Sequence, residues 1–422
     1  MSGAPVISPR LPWDELSGIA PLRLAMAADS VCGRTPQFVS GPRSAEELAA
    51  VLKWANIYSV AVAVRGGGTK LEWGNPPRGL DLLVSTAGLN RIVEHAFEDM
   101  TATVESGCRV ADVQRALAEH GQRLAIDPLF AERATIGGLL ATNDNGALRL
   151  RFGALRDLII GITVALPDGT VARSGGKVVK NVAGYDLPKL FTGSLGTLGG
   201  IAQATFRLHP QPATSETFTS RMSDVDEANR FLLQLLDSTL TPSAIQLRAG
   251  QQRETFVDVL YEGIPAGVQT QMLRTAAMRT GQEPASGDPW RAREELWTDA
   301  ELACIAKFSV LPTQIADTIA LLDKAAAEFS LDWVMVVQAT GNGVLRLAAG
   351  KPFDSLGRAI GPLRASLESL GGSLVVAQLP EELRDRIETW GSAGSALPLM
   401  RRMKEQFDPA GILNPGRFVG GI

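Results

Sequence analysis

Val64-Arg65-Gly66-Gly67-Gly68-Thr69-Lys70 follows a strand-like apolar run, Val60 to Val64, and opens the part of the chain that decides its architecture. Three successive glycines let backbone N–H groups point into one concavity, and Thr69 and Lys70 add a hydroxyl and a charge, a combination suited to phosphate oxygens. The spacing matches neither G-x-G-x-x-G nor G-x-x-x-x-G-K-S/T, and a glycine-rich surface turn fits these residues equally well. Just upstream, Ser44-Ala45-Glu46-Glu47 is a capping box that starts an apolar-periodic helix through Leu48, Val51, Leu52 and Ala55, ending near Tyr58.

Downstream, Arg91 to Ile126 alternates short strand-like and helix-like pieces, an α+β or α/β pattern. Asp157 to Leu166, Pro167-Asp168-Gly169 and Thr170 to Arg173 spell strand, tight turn, strand. Two further small-residue segments repeat the theme of the first loop. Asp127-Pro128 leads into Thr135-Ile136-Gly137-Gly138-Leu139-Leu140-Ala141-Thr142-Asn143-Asp144-Asn145-Gly146, then Arg149 and Gly153. Small residues there leave room for a flat ligand, with Thr135, Thr142 and Asn143 as hydrogen-bonding edges; a Gly/Ala-rich helix packed on a sheet is the structural alternative. Lys180-Asn181-Val182-Ala183-Gly184-Tyr185-Asp186 followed by Gly193 to Ile201 is the third. Glycine makes up 43 of 422 residues, against about 7% usually, and the excess falls between Arg65 and Gly200, where backbone pressed against a ligand explains it.

The glycine-rich style stops at a Thr/Ser/Pro stretch near Pro210 to Ser220. Helices are expected beyond it at 224–237, 268–280, 292–301, 312–329 and 362–370, and strands at 244–248, 256–261, 333–339, 344–348 and 373–377, a compact α+β unit with helices on one sheet face. Composition narrows the chemistry. A chain that is 45% hydrophobic and 20% charged folds as an ordinary globular protein, and a net charge of −4 without long charged runs does not mark a nucleic-acid groove. Cys32, Cys108 and Cys304 are too few and too scattered for a zinc knuckle, a four-cysteine cluster or a disulfide framework, and His95, His120 and His209 offer little to a metal centre or a histidine triad. No metal site is expected, and no apolar run is long enough to span a bilayer, so the expected location is cytoplasmic.

Taken together the three glycine segments, with Leu399 to Phe418, resemble the flavoproteins of the vanillyl-alcohol oxidase and cresol methylhydroxylase (PCMH) type. The resemblance implies an α+β fold: two α+β subdomains with FAD between them and a smaller α+β cap with an antiparallel sheet. It divides the chain into a lead-in at 1–40, the FAD-binding domain at 41–213, the cap at 214–398 and a returning segment at 399–422. Carried over, Arg65, Gly66, Gly67, Gly68, Thr69 and Lys70 would form the loop on the FAD pyrophosphate. Thr135, Ile136, Gly137, Gly138, Ala141, Thr142 and Asn143 would run along pyrophosphate and ring, with Gly146, Arg149 and Gly153 nearby. Asp127 and Ile201 would contribute through their backbones, and Asn414 would bring the returning segment to the flavin.

Relatives that oxidise D-lactate and other 2-hydroxy acids have an H-A-G-D-G-N-L-H motif in the cap. The matching place reads Ala339-Thr340-Gly341-Asn342-Gly343-Val344-Leu345-Arg346, with both histidines replaced, and Thr389 to Gly394 stands where E-H-G-I-G is expected. This combination resembles the smaller flavin-binding subunits of three-subunit glycolate oxidases, which implies a larger FAD-containing paralogous subunit, an iron–sulfur subunit, glycolate or a similar small 2-hydroxy acid as substrate, and peripheral membrane association through a partner. Arg346 is the one catalytic candidate, as a carboxylate-gripping fork in place of the second histidine; a solvated strand arginine is the structural alternative. Two other functions stay open: a self-sufficient FAD oxidoreductase on another 2-hydroxy acid or alcohol, and a non-catalytic scaffold.

Overall fold

Ser44 accepts a hydrogen bond from Glu47 N at 3.1 Å, and that cap starts the helix Ala45–Ile57. The Glu47 carboxylate reaches back to the Arg43 amide at 2.8 Å, so the first turn satisfies donors on both sides of the cap. The helix buries Leu48, Val51, Leu52 and Ala55 between two sheets, touching Val62, Leu82 and Val84 of one and Ala165 and Ala202 of the other. It is the spacer that holds those sheets apart and thereby sets the width of the cleft described below. The computed structural model describes residues 11–176, 185–251, 253–279 and 287–422.

The first sheet runs in the order Leu22–Leu24, Phe38–Ser40, Leu82–Ser85, Val62–Arg65, with the last three strands parallel. The segment expected as a lead-in thus supplies a helix, Trp13–Ile19, and two of the sheet's strands. Trp13 packs on Phe38 and Trp54 at 4.5 and 5.2 Å, which ties that segment into the core. The second sheet is antiparallel throughout, in the order Ile92–Ala96, Thr101–Glu105, Gly200–Arg207, Ile159–Ala165, Val171–Gly175. Its Ile159–Ala165 and Val171–Gly175 pair is the hairpin read around Pro167-Asp168-Gly169, with Gly169 at φ +91° where a side chain would be strained.

A third, fully antiparallel sheet runs in the order Thr214–Met222, Thr255–Gly263, Ala244–Gly250, Asp332–Gln338, Asn342–Ala348, Ala303–Ser309, Ser373–Gln378. Helices Val225–Asp237, Ile315–Phe329 and Asp354–Ser369 bury one face of it. Two of its strands differ from expectation. The Thr/Ser stretch read as a boundary is the edge strand Thr214–Met222, where Phe218 and Met222 are buried among polar neighbours. The expected helix at 292–301 is a single turn, Ala292–Glu295, followed by a left-handed Asp299 at φ 49°, and it gives way to the strand Ala303–Ser309 next to the sheet's edge. The helix expected from Pro362 starts at Asp354, because Pro362 lies on the exposed side where a missing N–H costs little.

Candidate functional site

Between the first two sheets lies a cleft lined by Val64 to Leu71, by residues of the Thr135–Thr142 turn and helix, by Leu195, Gly196, Gly199 and Ile201 and by Arg417. The strand Val62–Arg65 delivers the glycine loop directly into it. The glycines are required by contact. A Cβ on Gly66 would lie 1.9 Å from Thr135 Oγ1 and one on Gly67 would lie 1.8 Å from the Arg133 carbonyl, while Gly68 has φ +73°. Gly67 N donates to Thr135 Oγ1 at 3.3 Å. Among the described residues the N–H groups of Gly66, Gly68 and Gly138 have no acceptor, and all three residues face the cleft.

The expected cations divide. Arg65 lines the cleft with one terminal nitrogen fixed on Asp29 at 2.7 Å. Lys70 is in the wall, but its ammonium is engaged by protein groups, 3.4 Å from Asp144 and 3.3 Å from the Leu129 carbonyl. Burial pushes the Lys70 pKa down and Asp144 opposes that shift, so the charge assigned to a phosphate is spent on a buried ion pair instead. Arg417 compensates from the far end of the chain. It lines the cleft and donates from Nη2 to the carbonyls of Leu71 and Trp73, at 2.6 Å each, while its Nε is buried without a partner. Its neighbour Asn414 pins the returning segment, donating from its amide to the Val62 carbonyl at 2.7 Å and from Nδ2 to the Leu195 carbonyl at 2.9 Å.

Gly137, Gly138, Ala141, Thr142 and Ile201 also line the cleft, with the Thr142 hydroxyl donating to the Gly138 carbonyl at 2.8 Å. Thr69 is beside them, its hydroxyl accepting from Lys70 at 3.5 Å. Several expected residues serve elsewhere. Ile136 is core. Asn143 adopts φ 47° and ends the short helix, its side chain accepting from Asn145 Nδ2 at 3.0 Å. The Asp127 carboxylate accepts from the amides of Ala147 and Leu148, its pKa pushed up to about 6 by burial, and Gly146 is required because a Cβ there would sit 2.1 Å from it. The Asp127 carbonyl, expected to face the cofactor, is taken by Arg293 at 2.5 Å. Gly153 makes room for Asp157, and Arg149 is exposed. Lys180 to Gly184 lie outside the described residues; Tyr185 is 91% exposed and Asp186 caps the helix Leu187–Phe191, so neither joins the cleft. Arg346 shares a sheet face with Lys307, but its guanidinium is held by the carbonyls of Leu296 and Thr298, at 3.1 and 2.5 Å, and does not grip the cleft.

Behind Lys70 the third sheet closes on the first two through a layer that sequence reading missed. Lys307 stands 4.4 Å from the centre of the Trp73 ring, Trp73 stacks on Trp297 at 5.9 Å, and Phe130 meets Trp297 edge-on at 6.0 Å. Arg293 crosses the same boundary to the carbonyls of Asn145 and Asp127 and stands 3.5 Å from Asp144. Burial works against the Asp144 charge, but Lys70, Arg293 and Lys307 outweigh it and hold its pKa below the usual value. The only signal for this layer was a lysine inside an otherwise apolar run, Ala303-Cys304-Ile305-Ala306-Lys307-Phe308. No histidine is in the layer. His95 and His120 pack with Phe97, and His209 lies against Phe152.

Unpartnered N–H groups and an orphaned guanidinium nitrogen suit an acceptor-only diphosphate, and the cramped glycine walls suit a flat ring, so the residues present fit a flavin dinucleotide. Residues 36–175 match the FAD binding domain family and residues 390–418 the C-terminal domain of FAD linked oxidases. The chain is 26% identical to the glycolate oxidase subunit GlcD of Bacillus subtilis, over 90% of this chain and 88% of that one. It is 28% identical to a mitochondrial D-lactate dehydrogenase [cytochrome] of Arabidopsis thaliana, over 91% and 73%, and 28% identical to a D-2-hydroxyglutarate dehydrogenase of Xanthomonas citri, over 90% and 89%. Among solved structures it resembles alkyldihydroxyacetonephosphate synthase, with a TM-score of 0.69, 17% identity and coverage of 91% of this chain and 78% of the other. That likeness supports the α+β fold over most of the chain.

Proposed function

This chain is an FAD-binding member of the FAD-linked oxidoreductase family, and from that premise we propose that it is the FAD-binding subunit of a glycolate oxidase complex, working beside a larger FAD-containing paralogue and an iron–sulfur subunit. The complex oxidises glycolate to glyoxylate, and the electrons pass to the clusters of the partner. In this reading the domains are those of the sequence analysis, with the segment before residue 41 added to the FAD-binding half. When bound, FAD supplies a two-electron acceptor for the hydride equivalent that leaves the α-carbon of a 2-hydroxy acid.

The chain's own residues supply binding and exclusion of water. Gly66, Gly68 and Gly138 offer N–H groups to the diphosphate, Arg65 and the Arg417 Nε offer charge-assisted donors, and Gly137, Ala141 and Ile201 leave space for the ring. What carries the subunit reading is the layer of Trp73, Trp297, Phe130 and Lys307 between cleft and third sheet. It fills that boundary with indole and phenyl rings and places no imidazole there to take the hydroxyl proton of a substrate. Proton transfer and hydride departure therefore belong to the paralogue, and this chain's FAD is auxiliary.

The self-sufficient reading draws on Lys307, an ammonium without a hydrogen-bond acceptor among the described residues, which a substrate carboxylate would satisfy. One experiment separates the two. The visible spectrum of the isolated chain is recorded before and after anaerobic glycolate, and again with both partner subunits added. Flavin absorbance that glycolate leaves unchanged in isolation, with bleaching only in the reconstituted complex, is expected; bleaching of the isolated chain would overturn the auxiliary role in favour of the second reading.

A further inference from the structure

Asp29 precedes the stretch matched to the FAD binding domain, yet it reaches that domain's cleft through one bond. Its carboxylate is 2% exposed and accepts from Arg23 Nη1 and Nη2 at 2.7 and 2.8 Å, from Arg65 Nη1 at 2.7 Å and from the Met26 amide at 2.8 Å. The Arg23 bonds, aided by Met26 and Arg65, hold its carboxyl well below the usual carboxylate range, so it is an anion at any working pH. Two guanidinium groups share this one carboxylate, which leaves a positive charge in excess beside the glycine loop.

Arg65 is the cation so placed. Its other side-chain N–H groups have no acceptor among the described residues, and the side chain lines the cleft. Lys70, the other cation of the loop, is committed to Asp144. A guanidinium is a planar fork; clamping one nitrogen fixes the directions of the rest, and the entropy of placing them is met on folding and not on binding.

We propose that Asp29 is a positioning residue of the cofactor site: it clamps Arg65 at the Gly66–Gly68 loop so that the remaining guanidinium N–H groups meet the FAD diphosphate. This rests on FAD as the ligand of the cleft. It makes the segment Leu22–Ser40, most of which precedes the matched domain, a working part of the site.

Full-length apoprotein is titrated with FAD and, separately, with riboflavin, which has the same ring system and no phosphate, following flavin fluorescence. Asp29→Asn and Arg65→Gln are each expected to weaken FAD by about ten-fold or more while changing riboflavin by less than about two-fold, and the double variant should be little worse than either single one. Arg65→Lys should not rescue, since an ammonium cannot be clamped at one nitrogen and donate in plane from the others. Should Asp29→Asn fail to fold, the Arg65 variants carry the same comparison, because Asp29 keeps its Arg23 partner in them. Equal weakening of FAD and riboflavin, or unchanged FAD affinity, overturns the positioning role and leaves Asp29 a structural clamp. Wild-type protein that binds neither flavin would instead overturn the FAD reading, and this inference with it.

Discussion

The Lys307 ammonium, carried by the third sheet, stands 4.4 Å from the centre of the Trp73 ring, which belongs to the loop that walls the cofactor cleft. The contact joins two parts of the chain that are far apart in sequence, and it places a charge where three other cations, Lys70, Arg293 and Arg149, already repel it.

That charge is costly. Burial first, and the neighbouring cations with it, push the Lys307 pKa down to about 8 from 10.5, with Asp144 alone opposing. Between those values the unfolded chain holds a proton that the native lysine has released, so the destabilisation this group causes is full below the window and is relieved as pH rises through it. Lys307→Met should therefore stabilise the protein by about 1–2 kcal/mol at pH 7, after the loss of the ring contact, and the gain should shrink towards pH 10. Urea unfolding of both proteins at pH 7 and pH 9.5 checks the sign; a gain that grows with pH refutes it.

Gly66 and Gly67 are both barred from carrying a Cβ, but by different obstacles. Gly66→Ala meets the Thr135 hydroxyl and Gly67→Ala meets the Arg133 backbone carbonyl. Each should cost about 1–3 kcal/mol and lower FAD affinity. Adding Thr135→Ala should recover most of the loss in the first variant and none in the second, which differential scanning fluorimetry with and without FAD would show as a non-additive pair.

Arg417 bridges the returning segment to the loop carbonyls of Leu71 and Trp73. Arg417 Nη2 alone holds both carbonyls while Nη1 reaches Asn414 Oδ1 at 3.4 Å, so Arg417→Lys keeps the charge and can offer one nitrogen where the guanidinium uses two. A loss of about 1.5–3 kcal/mol in stability is expected, with weaker FAD retention on gel filtration. Retention equal to wild type would remove Arg417 from the site.

Arg346→Ala releases the carbonyls of Leu296 and Thr298. The expected effect is local: faster hydrogen exchange over 296–302, about 1 kcal/mol of stability, and unchanged FAD affinity and unchanged glycolate affinity in the complex. Lost glycolate affinity would restore the carboxylate-gripping role considered from sequence.

What could be read from the sequence was what local chemistry decides. Ser44 and Glu47 cap a helix wherever they occur together, Pro167-Asp168-Gly169 turns a chain by its own dihedrals, and three glycines announce a backbone that something must approach. Lys70 misled because its partner, Asp144, is chosen by the fold: from the sequence alone, a lysine after a glycine loop looks the same whether it faces a ligand or a buried carboxylate. Asp29, Trp73 and Arg293 were invisible for the same reason, since each matters through a contact more than thirty residues away, and Lys307 showed only as a charge inside an apolar run. The strand Ala303–Ser309 was hidden by its neighbour, a helical pattern that stops after one turn and is followed by a left-handed Asp299.

The strand Val62–Arg65 receives the Ile412 carbonyl on its Val62 amide at 2.8 Å and gives its Val62 carbonyl to the Asn414 amide at 2.7 Å, and Arg417 closes on Leu71 across 346 residues. At about 5–20 residues per second, a ribosome needs on the order of half a minute to cover that distance. For that interval one side of the strand has no partner, and the loop that follows it lacks its closing wall. The cleft is therefore complete only once the returning segment is in place, and any truncation that removes that segment leaves a bare strand edge where strands of other chains can add.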